Sequence, residues 1–202
     1  MPKVECYACH APSEPLQLWS YDVPDGTPKG FVDVAITHCG ICHSDLHQIN
    51  DAWHAACFPL VPGHEIVGHI VSVGEEVPEH LKVGARVGIG PQRSNCKNCP
   101  PCKSKNENLC PSKTKTYAGP GKDFGGFAKF IRYPADWAFI IPEALSSEEA
   151  APLLCAGTCV LFSRLVITVF LRLAVTILAS NVIHCLNDLT YSSNVRVSVA
   201  SL

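Results

Sequence analysis

Four cysteines within fifteen residues constrain this chain more than any other feature. Cys96, Cys99, Cys102 and Cys110 are spaced C-x2-C-x2-C-x7-C in the run NCKNCPPCKSKNENLCP. The flanking sequence is polar and rich in proline, so an apolar core does not account for them. Four thiolates from one short loop close a tetrahedron around zinc and leave no open corner, which marks a structural site. Lys97, Lys103 and Lys105 partly offset the negative charge of such a centre. Two other readings stay open. One is an iron–sulfur cluster, whose bacterial signature is C-x2-C-x2-C-x3-C-P; Cys110-Pro111 matches its end, but the last spacing is longer. The other is four free thiols.

Composition narrows the class. The chain carries 12 cysteines and 9 histidines among 202 residues. Its start has no succession of charged, apolar and small residues of the kind that directs secretion, so a cytoplasmic location is expected. In a reducing compartment, clustered cysteines bind metal or do chemistry more often than they pair. A net charge of -2 with 17% charged residues offers no basic face for nucleic acid. A hydrophobic content of 47% excludes a disordered chain.

All 14 glycines and all 16 prolines lie at or before Gly157, as do all lysines and glutamates. A folded chain needs turns throughout. Residues 1–160 are therefore expected to form one domain, and 161–202 an unassigned apolar tail. The first part reads as mainly β with short helices, an α+β chain. Strands are expected at Phe31–Thr37, Glu65–Val73 and Ala85–Gly90, and within Gly126–Ile141, where Pro134 interrupts. Short strands at this spacing suggest a barrel or sandwich. Ser146-Ser147-Glu148-Glu149 is a capping box that opens a helix running through Ala150–Cys155. In the tail, Leu165–Ala179 is shorter than the roughly 20 residues a membrane helix needs. Extending it back to Val160 adds Arg164 to Arg172. Each arginine costs about 2.5–3.5 kcal/mol near the bilayer centre, and the balance is near zero. Hydropathy alone therefore does not decide between a membrane segment and a buried helix or strand pair, and a membrane partner is not expected.

A second cluster differs in kind. CGICHSDLH over residues 39–47 is followed by Gly63-His64-Glu65. A catalytic zinc needs three protein ligands and one position left for water or substrate. Cys42, His64 and Cys155, one from each of three segments, meet that need. Asp45 is a candidate to orient His64. Spacing alone leaves the packed core open as the alternative for each. Cys6–His10 and Cys39–His43 both match the C-x-x-C-H haem attachment pattern. Attachment requires export, and the only methionine is Met1, so no axial methionine exists. His64-Glu65 is not a zincin motif, because Gly68 stands where a histidine is required.

CGICHSDLH, PGHEIVG, the four-cysteine loop, GGFA and AAPLLCAG, in this order, resemble the zinc-dependent medium-chain alcohol dehydrogenases. VPGHE and PLLCAG resemble the cinnamyl-alcohol dehydrogenase branch in particular. The likeness covers residues 1–160. It implies a GroES-like barrel, here incomplete and with no Rossmann domain. It also implies two zincs per chain: a catalytic one on Cys42, His64 and Cys155, and a structural one on Cys96, Cys99, Cys102 and Cys110. Glu65 would approach the catalytic metal, Ser44 would relay the alcohol proton, and His47 would pass it to solvent. His43 would sit near the phosphates of NADP(H). The reaction implied is alcohol/aldehyde interconversion by hydride transfer, in a homodimer in the full-length family. Cys39 is read as packing, and Trp53 and His54 as surface or core residues, with pocket lining as the alternative.

The nicotinamide domain of that family needs a glycine-rich turn. The residues after Gly157 contain no glycine. The expectation is therefore a truncated catalytic domain, inactive or nearly so by itself. A non-catalytic zinc-binding module and a membrane-associated fragment are the alternatives.

Overall fold

The computed structural model describes residues 3–117, 123–157 and 159–168. Their strands are all antiparallel. β1 (Lys3–Ala8) pairs with β2 (Gln17–Asp22), in register from Lys3↔Asp22 to Ala8↔Gln17. Strict alternation sends Val4, Cys6 and Ala8 inward. The main sheet has five strands in the order β8-β3-β4-β5-β9. They are β3 (Phe31–Gly40), β4 (Glu65–Val73), β5 (Arg86–Ile89), β8 (Phe130–Pro134) and β9 (Ala138–Ile140). β6 (Gln92–Ser94) and β7 (Thr114–Lys115) form a small ribbon, and the four-cysteine loop hangs from it. Isolated bridges Cys6↔Ala128 and Cys9↔Leu60 tie the first hairpin to later segments.

Strand alternation builds two layers. Val32, Val34, Ile66, Ile70, Val87, Ile89, Ile131 and Tyr133 share one buried face. Fully burying each aliphatic side chain contributes about 1.5–3 kcal/mol. The opposite face carries Val67, packed with Ile141, Ala150 and Ala151. The last two belong to a helix of six residues, α3 (Ser147–Pro152), which follows α1 (His43–Ile49) and α2 (Pro100–Lys103). Asp33 is also buried there. Its carboxylate accepts from Arg132 Nε at 2.7 Å and Nη2 at 2.9 Å, a fork across paired strands, and from the Thr27 hydroxyl at 2.8 Å. A buried carboxylate is tolerable only with such partners.

Glu65–Val73 forms as expected, and Phe31–Thr37 runs on to Gly40. Pro134 ends β8, and a single 3-10 turn, Ala135–Trp137, separates it from β9. The capping box closes as read. Ser146 Oγ accepts from Glu149 N at 3.3 Å, and Glu149 Oε2 accepts from Ser146 N at 3.1 Å. The helix it opens is shorter than expected. α geometry stops at Pro152, and Leu153–Gly157 is a π turn. Pro152 has no N–H for the carbonyl four residues back, and its ring crowds that carbonyl. β1, β2, α1 and the β6–β7 ribbon are elements the sequence reading did not find.

The chain packs as one unit over Met1–Cys159 and a second from Val160. Of the second, residues 160–168 are described, and they are helical. Residues 169–179 of the apolar run read from the sequence lie outside the described residues. Among those described, no single helix is long and apolar enough to cross a membrane.

Candidate metal centres

The first cluster is local. Sγ of Cys96, Cys99, Cys102 and Cys110 all lie within 4.8 Å of one another. Cys96 and Cys102 are 3.9 Å apart, and Cys99 and Cys102 are 3.4 Å apart. Tetrahedral zinc with bonds of about 2.3 Å separates its sulfurs by about 3.8 Å, so the spacing suits the ion. Pro100 and Pro101 start α2, where a missing N–H costs nothing, and α2 turns Cys102 inward. Backbone N–H groups of Cys96 and Cys99 point at Cys110 Sγ (3.4 Å) and Cys96 Sγ (3.3 Å). Hydrogen bonds from the N–H groups of Asn98 and Cys99 hold the Cys96 thiol down at about 6. Lys97 turns outward to pair with Asp136.

The second cluster is assembled. Cys42 precedes α1, His64 directly precedes β4, Glu65 is the first residue of β4, and Cys155 sits in the π turn. One ligand atom from each of the four lies within 4.8 Å of the others. The sulfurs of Cys42 and Cys155 are 4.0 Å apart across 113 residues of chain. Two glycines make room. Gly40 pairs with Glu65, and a Cβ there would lie 2.0 Å from Glu65 Oε2. At Gly90 a Cβ would lie 2.9 Å from the Leu154 carbonyl oxygen, so the turn carrying Cys155 could not approach.

Asp45 ties the assembled cluster together. It is 1% exposed and makes four contacts. Oδ1 accepts from His64 Nδ1 at 3.0 Å, from Gly63 N at 3.0 Å and from the Tyr117 hydroxyl. Oδ2 accepts from Cys42 N at 2.9 Å. His64 Nδ1 is thereby taken, which leaves Nε2 for a ligand. Burial pushes Asp45 up, but the bonds from His64, Tyr117 and Cys42 outweigh it and hold the carboxyl below its ordinary value. Burial lowers His64, but the hydrogen bond and charge of Asp45 lift it above its ordinary value. Burial likewise raises Cys42, yet the Ser44 backbone and hydroxyl and the His64 ring bring it below the free thiol. Burial raises Glu65 and pushes Cys155 up to about 12. Two thiols and a carboxyl thus crowd one buried spot, a donor set that a divalent cation relieves.

A cavity of about 280 Å³ opens beside this cluster. Ser44, Gln48, Trp53, Lys115, His64 and Cys155 are among the side chains that line it. Trp53 therefore reaches the cavity, whereas His54 is not among its lining residues. His47 packs its ring on His43 at 4.7 Å and on Trp53 at 5.0 Å. No hydrogen bond joins Ser44 to His47 among the described residues. Cys39 stands apart from both clusters, packed against the main core with its thiol pushed up by burial to about 12. Sequence reasoning missed Tyr117, Gln48 and Lys115. Tyr117 lies 72 residues from Asp45, and no local pattern connects them.

The alcohol dehydrogenase GroES-like domain matches this chain over residues 28–143. The chain belongs to that family. Among relatives, cinnamyl alcohol dehydrogenase 1 of Capsicum annuum is 40% identical over 158 residues, which cover 76% of this chain and 44% of the relative. Among solved structures, a cinnamyl alcohol dehydrogenase of Sorghum bicolor superposes with a TM-score of 0.73 at 34% identity, covering 77% of this chain and 45% of that one. The CAD of Helicobacter pylori, solved with NADP(H), gives a TM-score of 0.71 at 30% identity over 77% and 46%. The chain therefore spans less than half the length of these alcohol dehydrogenase relatives. Its mostly β, GroES-like architecture with few short helices agrees with the sequence expectation.

Proposed function

We propose that this chain carries the metal-holding catalytic part of an NADP(H)-dependent alcohol dehydrogenase that interconverts a small alcohol and its aldehyde. The observation that supports this most is the convergence of Cys42, His64 and Cys155 beside a cavity, with His64 fixed through Nδ1 by Asp45. In this reading the three hold a catalytic zinc, and Cys96, Cys99, Cys102 and Cys110 hold a structural one. When bound, zinc supplies Lewis-acid activation of the substrate oxygen, and the nicotinamide supplies hydride exchange.

The chain's own residues do the rest. Asp45 fixes the His64 ring in one tautomer, so that Nε2 faces the cluster. Ser44 lines the cavity on α1, and its hydroxyl can accept the alcohol proton while donating its own. His47, one turn along, would pass the proton that Ser44 releases towards solvent through an intervening group, since no hydrogen bond joins the two directly. Glu65 waits beside the ligands as a further carboxylate. His43 sits at the start of α1, where it would face the cofactor phosphates.

Zinc analysis of the purified chain tests this reading. About two zincs per chain are expected, and Cys42→Ser should remove about one. Unchanged zinc content in Cys42→Ser and Cys155→Ser would overturn it. The 202-residue chain by itself is expected to reduce aldehydes weakly or not at all, since it spans under half of its relatives. Robust NADPH oxidation with an aldehyde would contradict that expectation.

A further inference from the structure

The cavity beside the assembled cluster has one wall that the mechanism does not use. Lys115, on β7, contributes the only ammonium among its described lining residues. Its Nζ lies 5.4 Å from the centre of the Trp53 ring, on which it rests as a cation over a π face. It forms no ion pair among the described residues. Gln48, from α1, lines the same cavity and is 3% exposed. Its Oε1 is buried and has no hydrogen-bond partner. A buried amide oxygen without a partner costs about 1–3 kcal/mol, and such atoms are rare enough to need a reason. The terminal amide torsion of glutamine is soft, so the group can turn to meet a ligand.

Lys115, with no counter-charge among the described residues, and Gln48, whose amide oxygen is buried without a partner, line one small space. At about 280 Å³ that space lies just below the usual range of ligand pockets, which starts at about 300 Å³, and so suits a small ligand. Resting on the dehydrogenase reading above, we infer that the substrate is a small alcohol or aldehyde bearing a carboxylate or similar anionic group, and that Lys115 is the residue that selects it. The oxygen to be activated points at Cys42, His64 and Cys155. The anionic end pairs with Lys115 and accepts from the Gln48 amide, turned so that its N–H groups face it. Trp53 holds the ammonium at the cavity and offers a flat apolar wall for an aromatic or unsaturated linker.

Binding to the purified chain tests this without turnover. The probes are 4-(hydroxymethyl)benzoate and its neutral isostere 4-(hydroxymethyl)benzamide, titrated at low ionic strength and followed by ligand-observed NMR. Wild type should bind the carboxylate about fivefold more tightly, the size expected of an exposed charge pair. Lys115→Met should bring the two affinities together, and Lys115→Arg should keep the preference. Gln48→Leu should weaken both ligands alike. Equal affinities in wild type, or a preference that survives Lys115→Met, would overturn the inference. Zinc content of wild type and Cys42→Ser, measured alongside, reports separately on the metal-centre reading: that reading fails if Cys42→Ser retains its zinc, whichever way the titration falls.

Discussion

The two cysteine-rich clusters teach different lessons about how a chain builds a site. The four-cysteine loop closes within residues 96–110, with its own short helix and N–H groups aimed at sulfur. The other cluster joins Cys42, His64, Glu65 and Cys155 from three segments, and it exists only if the sheet, α1 and the π turn all pack correctly. A local site depends on a loop, whereas an assembled site depends on the whole fold.

The sharpest way to break this comparison is Cys102→Ser. It should cost the loop its metal entirely, a drop of about one zinc per chain. Limited proteolysis should then cut first within residues 95–113, while the five-stranded sheet stays protected. Simultaneous loss of the Cys42 cluster's metal would mean that the two sites are not independent.

Asp45→Asn acts on the assembled cluster alone. Removing a carboxylate that orients a ligand histidine typically weakens metal binding about 10–100-fold, measurable by competition with a chelator. The loop should hold its metal unchanged. The same variant carries a pH signature. Although burial pushes Asp45 up, the bonds from His64, Tyr117 and Cys42 leave its carboxyl below the ordinary value in the folded protein. Its stabilisation is therefore present above the unfolded carboxylate pKa and is lost as pH falls through the lower folded value. Wild type should lose stability across that acid window more steeply than Asp45→Asn, as read by denaturant unfolding at a series of pH values.

The smallest effect is expected from Ser146→Ala, which removes the cap of α3. The cost should be about 1 kcal/mol in denaturant unfolding. Because α3 leads directly into the turn holding Cys155, it should also loosen metal at the assembled cluster slightly and leave the loop untouched. An equal effect on both sites would show that α3 stabilises the domain as a whole rather than positioning Cys155.

Legibility in the sequence followed the same division. The loop could be read from spacing because its geometry is a property of neighbours in sequence. Glu65–Val73 was legible because β-branched residues crowd a short run that ends at Gly74, as a strand buried on both faces at its start requires. α1 was not legible, since its seven residues, HSDLHQI, are mostly polar and show no apolar stripe. The expected run of the capped helix through Cys155 passes over Pro152, whose missing N–H and crowding ring end the α geometry there.

Taken alone, the sequence determined the four-cysteine loop, the main strands, the capped helix and the residues of the second cluster as candidates. Tertiary structure alone decided that Cys42 and Cys155 lie 4.0 Å apart, that Tyr117 donates to Asp45, and that Lys115 and Gln48 share one cavity. The reason is physical. Spacing encodes only what the backbone can bring together within a few residues, whereas contacts across tens of residues are set by strand register and by how closely the packed glycines let neighbouring segments approach.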